Sequence, residues 1–360
     1  MMFKTRIKKI QNKLKQNNID AFLITNPSNI FYLTEFKGIS NQREFLIVIS
    51  KDNFYVITSR IYEKEVEVKI SKENSIITRE GSDLFDGTVR ILKKYRRIGF
   101  EKEDLRYNEF ETLEKQLRPR RIIPLSRIVE EFREIKDKEE IKRIKKAAEI
   151  TDKTFYLLLK IIKPGLTERF IQRKIIEIME DLGAEDVSFQ PIVASGKASA
   201  EPHYRPLNKK IRSGEILLID MGVRYKGYCS DFTRTVFIGK STQKFKKLYS
   251  IVLETQKKAI KKCKIGYPVK RLYEDCVLNF KKYMEDKYFV HSLGHGVGID
   301  IHEFPHIGIN SKERFKNGMV FTIEPGLYHK NFGGVRIEDL CVMDKNCKVL
   351  TKSSKKLIEI

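Results

Sequence analysis

The chain has 360 residues, 41% of them apolar, which excludes a disordered protein and gives enough material for two ordinary domains, each with its own core. Its formal charge of +23 forms no basic tract, because the lysines run the whole length interleaved with glutamates; this reads as a solvated surface and argues against a nucleic-acid partner. No run approaches the roughly 20 uninterrupted apolar residues of a bilayer span, and MMFKTRIKKIQNKLK is too charged for a signal-peptide core, so no membrane association and a cytoplasmic location are expected.

The amino-terminal third alternates strand-like runs (AFLIT at 21, FLIVI at 45, FYVIT at 54, RIGF at 97) with helix-like charged stretches at 61–69 and 84–96, the pattern of a small α/β domain. Between Pro119 and Pro124 the pattern breaks, and Asp137-Lys-Glu-Glu140 then offers a capping box to a long helix. A first domain over 1–128 and a second over 129–360 are expected.

In the second domain Ile141, Ile144, Ala148, Thr151, Phe155, Leu158, Leu159 and Ile162 keep helical spacing until Pro164-Gly165, and Thr167 starts a second helix running to Gly183. After the loop QPIVASGKASAEPHYRP, the strands GEILLID and DFTRTVFI flank VRYKGYC as a hairpin. The order then recurs: a helix over 241–264, punctuation at Gly266 and Pro268, a helix to about Asp286, and a hairpin from MVFTIEP and GVRIEDLCVM. Two helix-helix-hairpin units predict a pseudo-symmetric α+β domain, with helices on one face of a curved, mostly antiparallel sheet and the site between the halves. Five cysteines, an odd number with no C-x-x-C pair, signal neither a disulfide framework nor a zinc-thiolate site, and read as small core or surface residues.

Asp220 ends the apolar run ILLI, an awkward place for a carboxylate because burying a charge is costly unless it is paired or binds a metal. A hairpin turning near Tyr225-Lys226 would set Asp220 opposite Asp231 on one face, and one turning around residue 331 would set Glu324 opposite Glu338. Between the hairpins comes HSLGHGVGIDIHE, whose glycines 294, 296 and 298 permit a tight backbone and make His295 the obvious nitrogen donor. One aspartate at a strand end is usually a turn or cap. Four carboxylates with a histidine in matched hairpins instead suggest an oxygen-rich site for two bridged ions of the Mn²⁺, Co²⁺, Fe²⁺ or Zn²⁺ kind.

The stretches ILLIDMGVRYKGYCSDFTRT, HSLGHGVGIDIHE, VFTIEPGLY and GVRIED together make the second domain resemble the pita-bread superfamily of methionine aminopeptidases, aminopeptidase P, prolidase and creatinase, over roughly 133–355. The resemblance places the five metal ligands on Asp220, Asp231, His295, Glu324 and Glu338, the set the hairpins reach. It places substrate-side histidines on His203 and His302, a further substrate-facing one on His291, and matches Arg336 to the branch containing aminopeptidase P and prolidase, which also has a separate amino-terminal domain. It further implies a homodimer.

Such a site would lower the pKa of a bridging water and polarise the scissile carbonyl, with Glu324 as general base and His203 and His302 donating to the carbonyl oxygen. Arg336, two residues before Glu338 on one strand, would share its face as a charge partner. The expected activity is metal-dependent cleavage before a proline in second position, of dipeptides or longer peptides, with Phe189 available to contact the proline ring. A creatinase-like hydrolase of a small guanidino substrate, or a binding protein of the same fold, is the alternative.

Overall fold

The computed structural model describes residues 2–39, 42–80 and 84–360. Contacts divide the chain between Arg133 and Glu134 into two units. The first runs α1 (Met2–Gln16), β1 (Ala21–Ile24), α2 (Pro27–Thr34), β2 (Phe45–Ser50), β3 (Phe54–Ser59), α3 (Glu63–Lys69), β4 (Ser75–Thr78), α4 (Leu84–Leu92), β5 (Arg97–Glu101), α5 (Tyr107–Leu117), β6 (Arg121–Leu125) and α6 (Glu130–Arg133). Its strands form one mixed sheet in the order β4-β3-β2-β1-β5-β6, antiparallel at β1–β2 and β2–β3 and parallel elsewhere. Every residue of β1 and β2 is buried, which is why both read as continuous apolar runs. The stretch between Pro119 and Pro124, which reads as a break, holds the edge strand β6, with Pro124 facing Phe100. An edge tolerates a residue that donates no hydrogen bond, so proline misleads there.

The second unit runs α7 (Lys138–Leu159), α8 (Glu168–Asp181), β7 (Asp186–Val187), β8 (Ile192–Ser195), β9 (Ile216–Met221), β10 (Val223–Tyr225), β11 (Tyr228–Cys229), β12 (Phe232–Phe237), α9 (Gln243–Lys262), α10 (Val269–Lys281), β13 (Gly294–Gly296), β14 (Glu303–Ile307), β15 (Val320–Ile323), β16 (Gly326–His329), β17 (Gly333–Arg336), β18 (Asp339–Asp344) and β19 (Asn346–Val349). The capping box forms as the sequence spells it: Asp137 accepts from the Glu139 and Glu140 amides, each at 2.9 Å, and Glu140 accepts from the Asp137 amide at 2.8 Å. Thr167 and Thr242 cap α8 and α9 more simply, each hydroxyl accepting from one backbone amide, that of Phe170 at 3.1 Å and of Phe245 at 3.2 Å. The helix after Pro268 stops at Lys281, short of the expected Asp286.

The expected doubling is present. Helices α7 and α8 share a core with β9 and β12, through Phe155, Ile171, Ile175, Leu217, Ile219 and Phe232, and α9 and α10 share another with β15 and β18, through Phe245, Leu272, Phe280, Phe321 and Cys341. Every strand pair in this unit is antiparallel. The two halves are joined by a buried ion pair, Arg234 of β12 to Asp339 of β18 at 2.7 Å, with Gln256 of α9 and Thr351 also donating to Asp339 at 2.7 and 3.0 Å. A charge pair out of water survives only when its remaining hydrogen-bonding capacity is filled, as here.

Within QPIVASGKASAEPHYRP, read as a loop, IVAS forms β8 beside β9. Glu168 in the first turn of α8 holds the residues beyond that strand. Wholly buried, it accepts hydrogen bonds from the Ser195 amide (2.9 Å) and hydroxyl (2.6 Å), the Tyr204 hydroxyl (2.9 Å) and the Leu207 amide (3.1 Å), so one carboxylate pins both sides of the segment containing His203. Glu168→Ala should therefore speed deuterium exchange of backbone amides across 195–207 by at least about tenfold, the equivalent of ~1.4 kcal/mol in local opening, while α9 and α10 stay protected. Unchanged exchange across that segment would show that this carboxylate does not hold it.

Candidate metal centre

Four elements deliver the acidic residues. The first hairpin turns at Lys226-Gly227, both with positive φ (47° and 78°), one position later than Tyr225-Lys226, because this two-residue turn needs left-handed backbone and Gly227 supplies it without strain. The register moves by two residues, so Thr233 rather than Asp231 stands across from Asp220. Because side chains alternate with period two, a two-residue shift leaves Asp231 on the same face as Asp220, now as its diagonal neighbour. The second hairpin turns around Asn331 as expected, with Ile323 opposite Asp339, which puts Glu324 and Glu338 across from one another at the ladder's end.

His295 sits in the three-residue strand β13, pressed between β14 and β15. A Cβ at Gly294 would lie 2.1 Å from the Thr322 carbonyl oxygen, and one at Gly296 would lie 2.2 Å from that of Phe304, so only glycines can flank this imidazole. The His295 amide donates to the Thr322 hydroxyl at 3.1 Å, which in turn donates to Glu324 at 3.1 Å.

Asp231, His295 and Glu338, all buried, bring one ligand atom each within 4.8 Å of one another. His295 Nε2 lies 3.4 Å from both Asp231 Oδ2 and Glu324 Oε1. Asp220 is held from the other side: its Oδ2 accepts from Arg336 Nη2 at 2.6 Å, while its buried Oδ1 has no hydrogen-bond partner among the described residues. Burial, with the charges of neighbouring carboxylates, raises Asp231 and Glu338 well above the usual carboxylate range, and burial pushes Glu324 up to about 7. Burial lowers His295 to about 3, leaving a neutral ring with a lone pair to offer. An unpartnered buried carboxylate oxygen, mutually repelling carboxylates and a neutral imidazole are the donor set that a divalent cation would satisfy, so these residues fit one.

Sequence reasoning found Arg336 but not its network. Arg336 donates to Asp220, to the Tyr328 hydroxyl at 2.8 Å and to the Thr233 hydroxyl at 3.1 Å, and Thr233 donates to Glu338 at 2.6 Å. His291 has Nδ1 2.6 Å from the Ser292 carbonyl and Nε2 2.8 Å from Tyr328 Oη. Burial lowers this histidine to about 4, so its ring is neutral: Nδ1–H donates to the carbonyl and Nε2 accepts the tyrosine proton. His291, Tyr328, Arg336 and Asp220 thus form one chain of hydrogen bonds. Tyr328 and Thr233 carry no chemical signal in sequence, since a lone tyrosine or threonine in a strand reads as ordinary β-former.

His203 and His302 are exposed, unlike the buried carboxylates. The His302 ring stands 4.2 Å from that of His295, edge to face, and partial desolvation of its ring on that side, together with the charge of His203, lowers its pKa. His306, directly across the ladder from His295, is a further exposed imidazole that the sequence reading did not single out. Phe189 is half-buried and lies outside the hydrophobic cores.

Comparison with known proteins accords with this geometry. Residues 142–345 match the model of metallopeptidase family M24, and residues 6–135 match the creatinase/prolidase N-terminal domain. The Xaa-Pro dipeptidase of Pyrococcus furiosus is 36% identical over 356 residues, which is 99% of this chain and 100% of that protein. Among solved structures, a prolidase from Thermococcus sibiricus superposes with a TM-score of 0.92 at 37% identity, covering 100% of both chains. An X-Pro aminopeptidase from Thermotoga maritima superposes with a TM-score of 0.90 at 31% identity, covering 98% of this chain and 99% of that one. Matched over more than half its length by the family model and along its whole length by such relatives, the chain belongs to metallopeptidase family M24, with a creatinase/prolidase amino-terminal domain preceding the pita-bread domain.

Proposed function

We propose that this chain is a metal-dependent exopeptidase that cleaves the bond between an amino-terminal residue and proline, acting as an Xaa-Pro dipeptidase or Xaa-Pro aminopeptidase. The reading rests above all on Asp220, Asp231, Glu324 and Glu338 around a neutral His295, with Asp220 Oδ1 unpartnered. Full-length relatives named Xaa-Pro dipeptidase, prolidase and X-Pro aminopeptidase support the substrate class.

In this reading Asp220, Asp231, His295, Glu324 and Glu338 hold two divalent ions, Mn²⁺ or Co²⁺ in keeping with the oxygen-rich donors. When bound, such ions supply Lewis acidity and a water of lowered pKa. Glu324, which in this reading is both a ligand and a neighbour of the attacking water, would take that water's proton. His203 and His302, exposed and able to turn toward a ligand, donate to the scissile carbonyl oxygen as negative charge grows on it. Arg336 neutralises Asp220 and fixes its orientation, and His291 steadies Arg336 through Tyr328.

Asp231→Asn or His295→Ala should abolish turnover and lower metal content while the far-ultraviolet circular dichroism stays unchanged, because each removes a donor that the others cannot replace. Full activity in chelator-treated, metal-free protein would contradict the metallopeptidase reading.

A peptide bond to proline lacks an N–H, and its ring fixes φ near −65°, so a peptidase must read its shape rather than a donor. Replacing proline by alanine in the second position of a substrate should lower kcat/KM at least about tenfold, roughly 1.4 kcal/mol of transition-state binding. Equal rates on Ala-Pro and Ala-Ala would remove the proline preference and leave the metal chemistry standing. The family resemblance also supports a homodimer; light scattering at assay concentration should give twice the 42.3 kDa chain mass, and a fully active monomer would refute it.

A further inference from the structure

The five cysteines are unevenly placed. Cys263, Cys341 and Cys347 gather at one core, where Cys263 and Cys341 are buried and Cys347 is half-buried beside them. Cys263 ends α9 in extended backbone, with φ −69° and ψ 112°. An antiparallel bridge pairs the next residue, Lys264, with Asn346. That register carries Cys263 across from Cys347, with both side chains on one face. Directly opposed residues in antiparallel pairs have Cα atoms about 4.5–5.5 Å apart, inside the roughly 4.4–6.8 Å window a disulfide accepts. On the other flank of β19, Met343 stands opposite Cys347, so Cys341 is its diagonal neighbour, about 7–8 Å away by the usual spacing. That position suits a hydrogen bond better than a covalent one. Hydrogen bonds from Cys263 and Cys341 hold the Cys347 thiol below the usual thiol range, and the thiolate is the reactive form.

We propose that Cys347 and Cys263 are a reversible peroxide-responsive dithiol, with Cys347 the attacking sulfur and Cys263 the resolving one. The Cys347 thiolate attacks the peroxide: an S–O bond forms, the O–O bond breaks, and hydroxide leaves to take up a proton as water. The sulfur of Cys263 then displaces the sulfenic oxygen, forming the S–S bond and releasing a second water that carries away the Cys263 proton. Two thiols lose two electrons and the peroxide gains them. The product ties the end of α9 to β19 and closes the segment from 263 to 347, which contains His295, Glu324 and Glu338. Cys229 and Cys276 are buried, Cys276 within the same core, and take no part in the proposed exchange.

The test treats full-length, metal-loaded protein with a few equivalents of hydrogen peroxide, counts the remaining thiols, and maps non-reduced peptides by mass spectrometry. A loss of two of the five thiols per chain, a Cys263–Cys347 linked peptide and full recovery with dithiothreitol are expected. Cys347→Ser, at the half-buried position, should retain all four of its remaining thiols under the same treatment. In Cys263→Ser the oxidised sulfur should be trapped as a dimedone adduct on Cys347. Five thiols surviving in the native chain, a link confined to Cys341 and Cys347, or links only between chains would each overturn the proposal.

Discussion

Like charge gathered out of water is the constraint to which the rest of the second unit answers. Asp231, Glu338 and Asp220 are buried, Glu324 is nearly so, and the imidazole among them is neutral. Burial pushes Asp231 and Glu338 toward the protonated form, and the charges of neighbouring carboxylates push further. The guanidinium of Arg336 offsets part of this and is itself held by Asp220, Tyr328, Thr233 and the Pro202 carbonyl. One guanidinium against four carboxylates leaves a deficit of positive charge, and the buried, unpartnered Oδ1 of Asp220 marks where the deficit is sharpest.

Holding such a cluster together requires a frame that does not relax, and the fold provides it with backbone and buried ions rather than with the site's own contacts. The Glu338 amide donates to the Thr233 carbonyl at 3.1 Å, so the two hairpins are stitched together at the residues that carry the charges. Arg234, next to Thr233, bonds the Glu338 carbonyl and the Asp339 carboxylate, and Asp339 is further held from α9 and the carboxyl-terminal segment. The segment containing His203 is anchored differently, by the buried carboxylate of Glu168 together with the Gly334 amide that donates to Ser199, and His302 stands exposed, an arrangement that would suit the substrate-side role proposed for both.

Much of this was legible in the chain because local rules acted alone. The Asp137–Glu140 capping box, the start of α8 at Thr167, the doubled helix-helix-hairpin order and the turn around Asn331 all follow from spacing and turn chemistry. The first hairpin shows why an inexact reading can still place residues well. Its turn lies one position from the expected one, yet the side-chain period of two kept Asp220 and Asp231 on a common face. Where neighbours outvote local signals, the reading failed: β8 hides in a stretch rich in turn formers because pairing with β9 imposes extension, and β6 accepts Pro124 because it is an edge.

Residue types and their spacing were enough to identify the side chains that carry charge and imidazole, the order of elements that bears them, and the family to which that order belongs. Packing was needed to bring in Tyr328, Thr233 and Glu168, to turn His291 toward Tyr328, and to set Cys263 opposite Cys347 across 84 positions of chain. The difference is one of range. Spacing and propensity act over a few residues, whereas a hydrogen bond between strands, the partner of a buried charge and the register of an isolated bridge are fixed only once distant segments have packed.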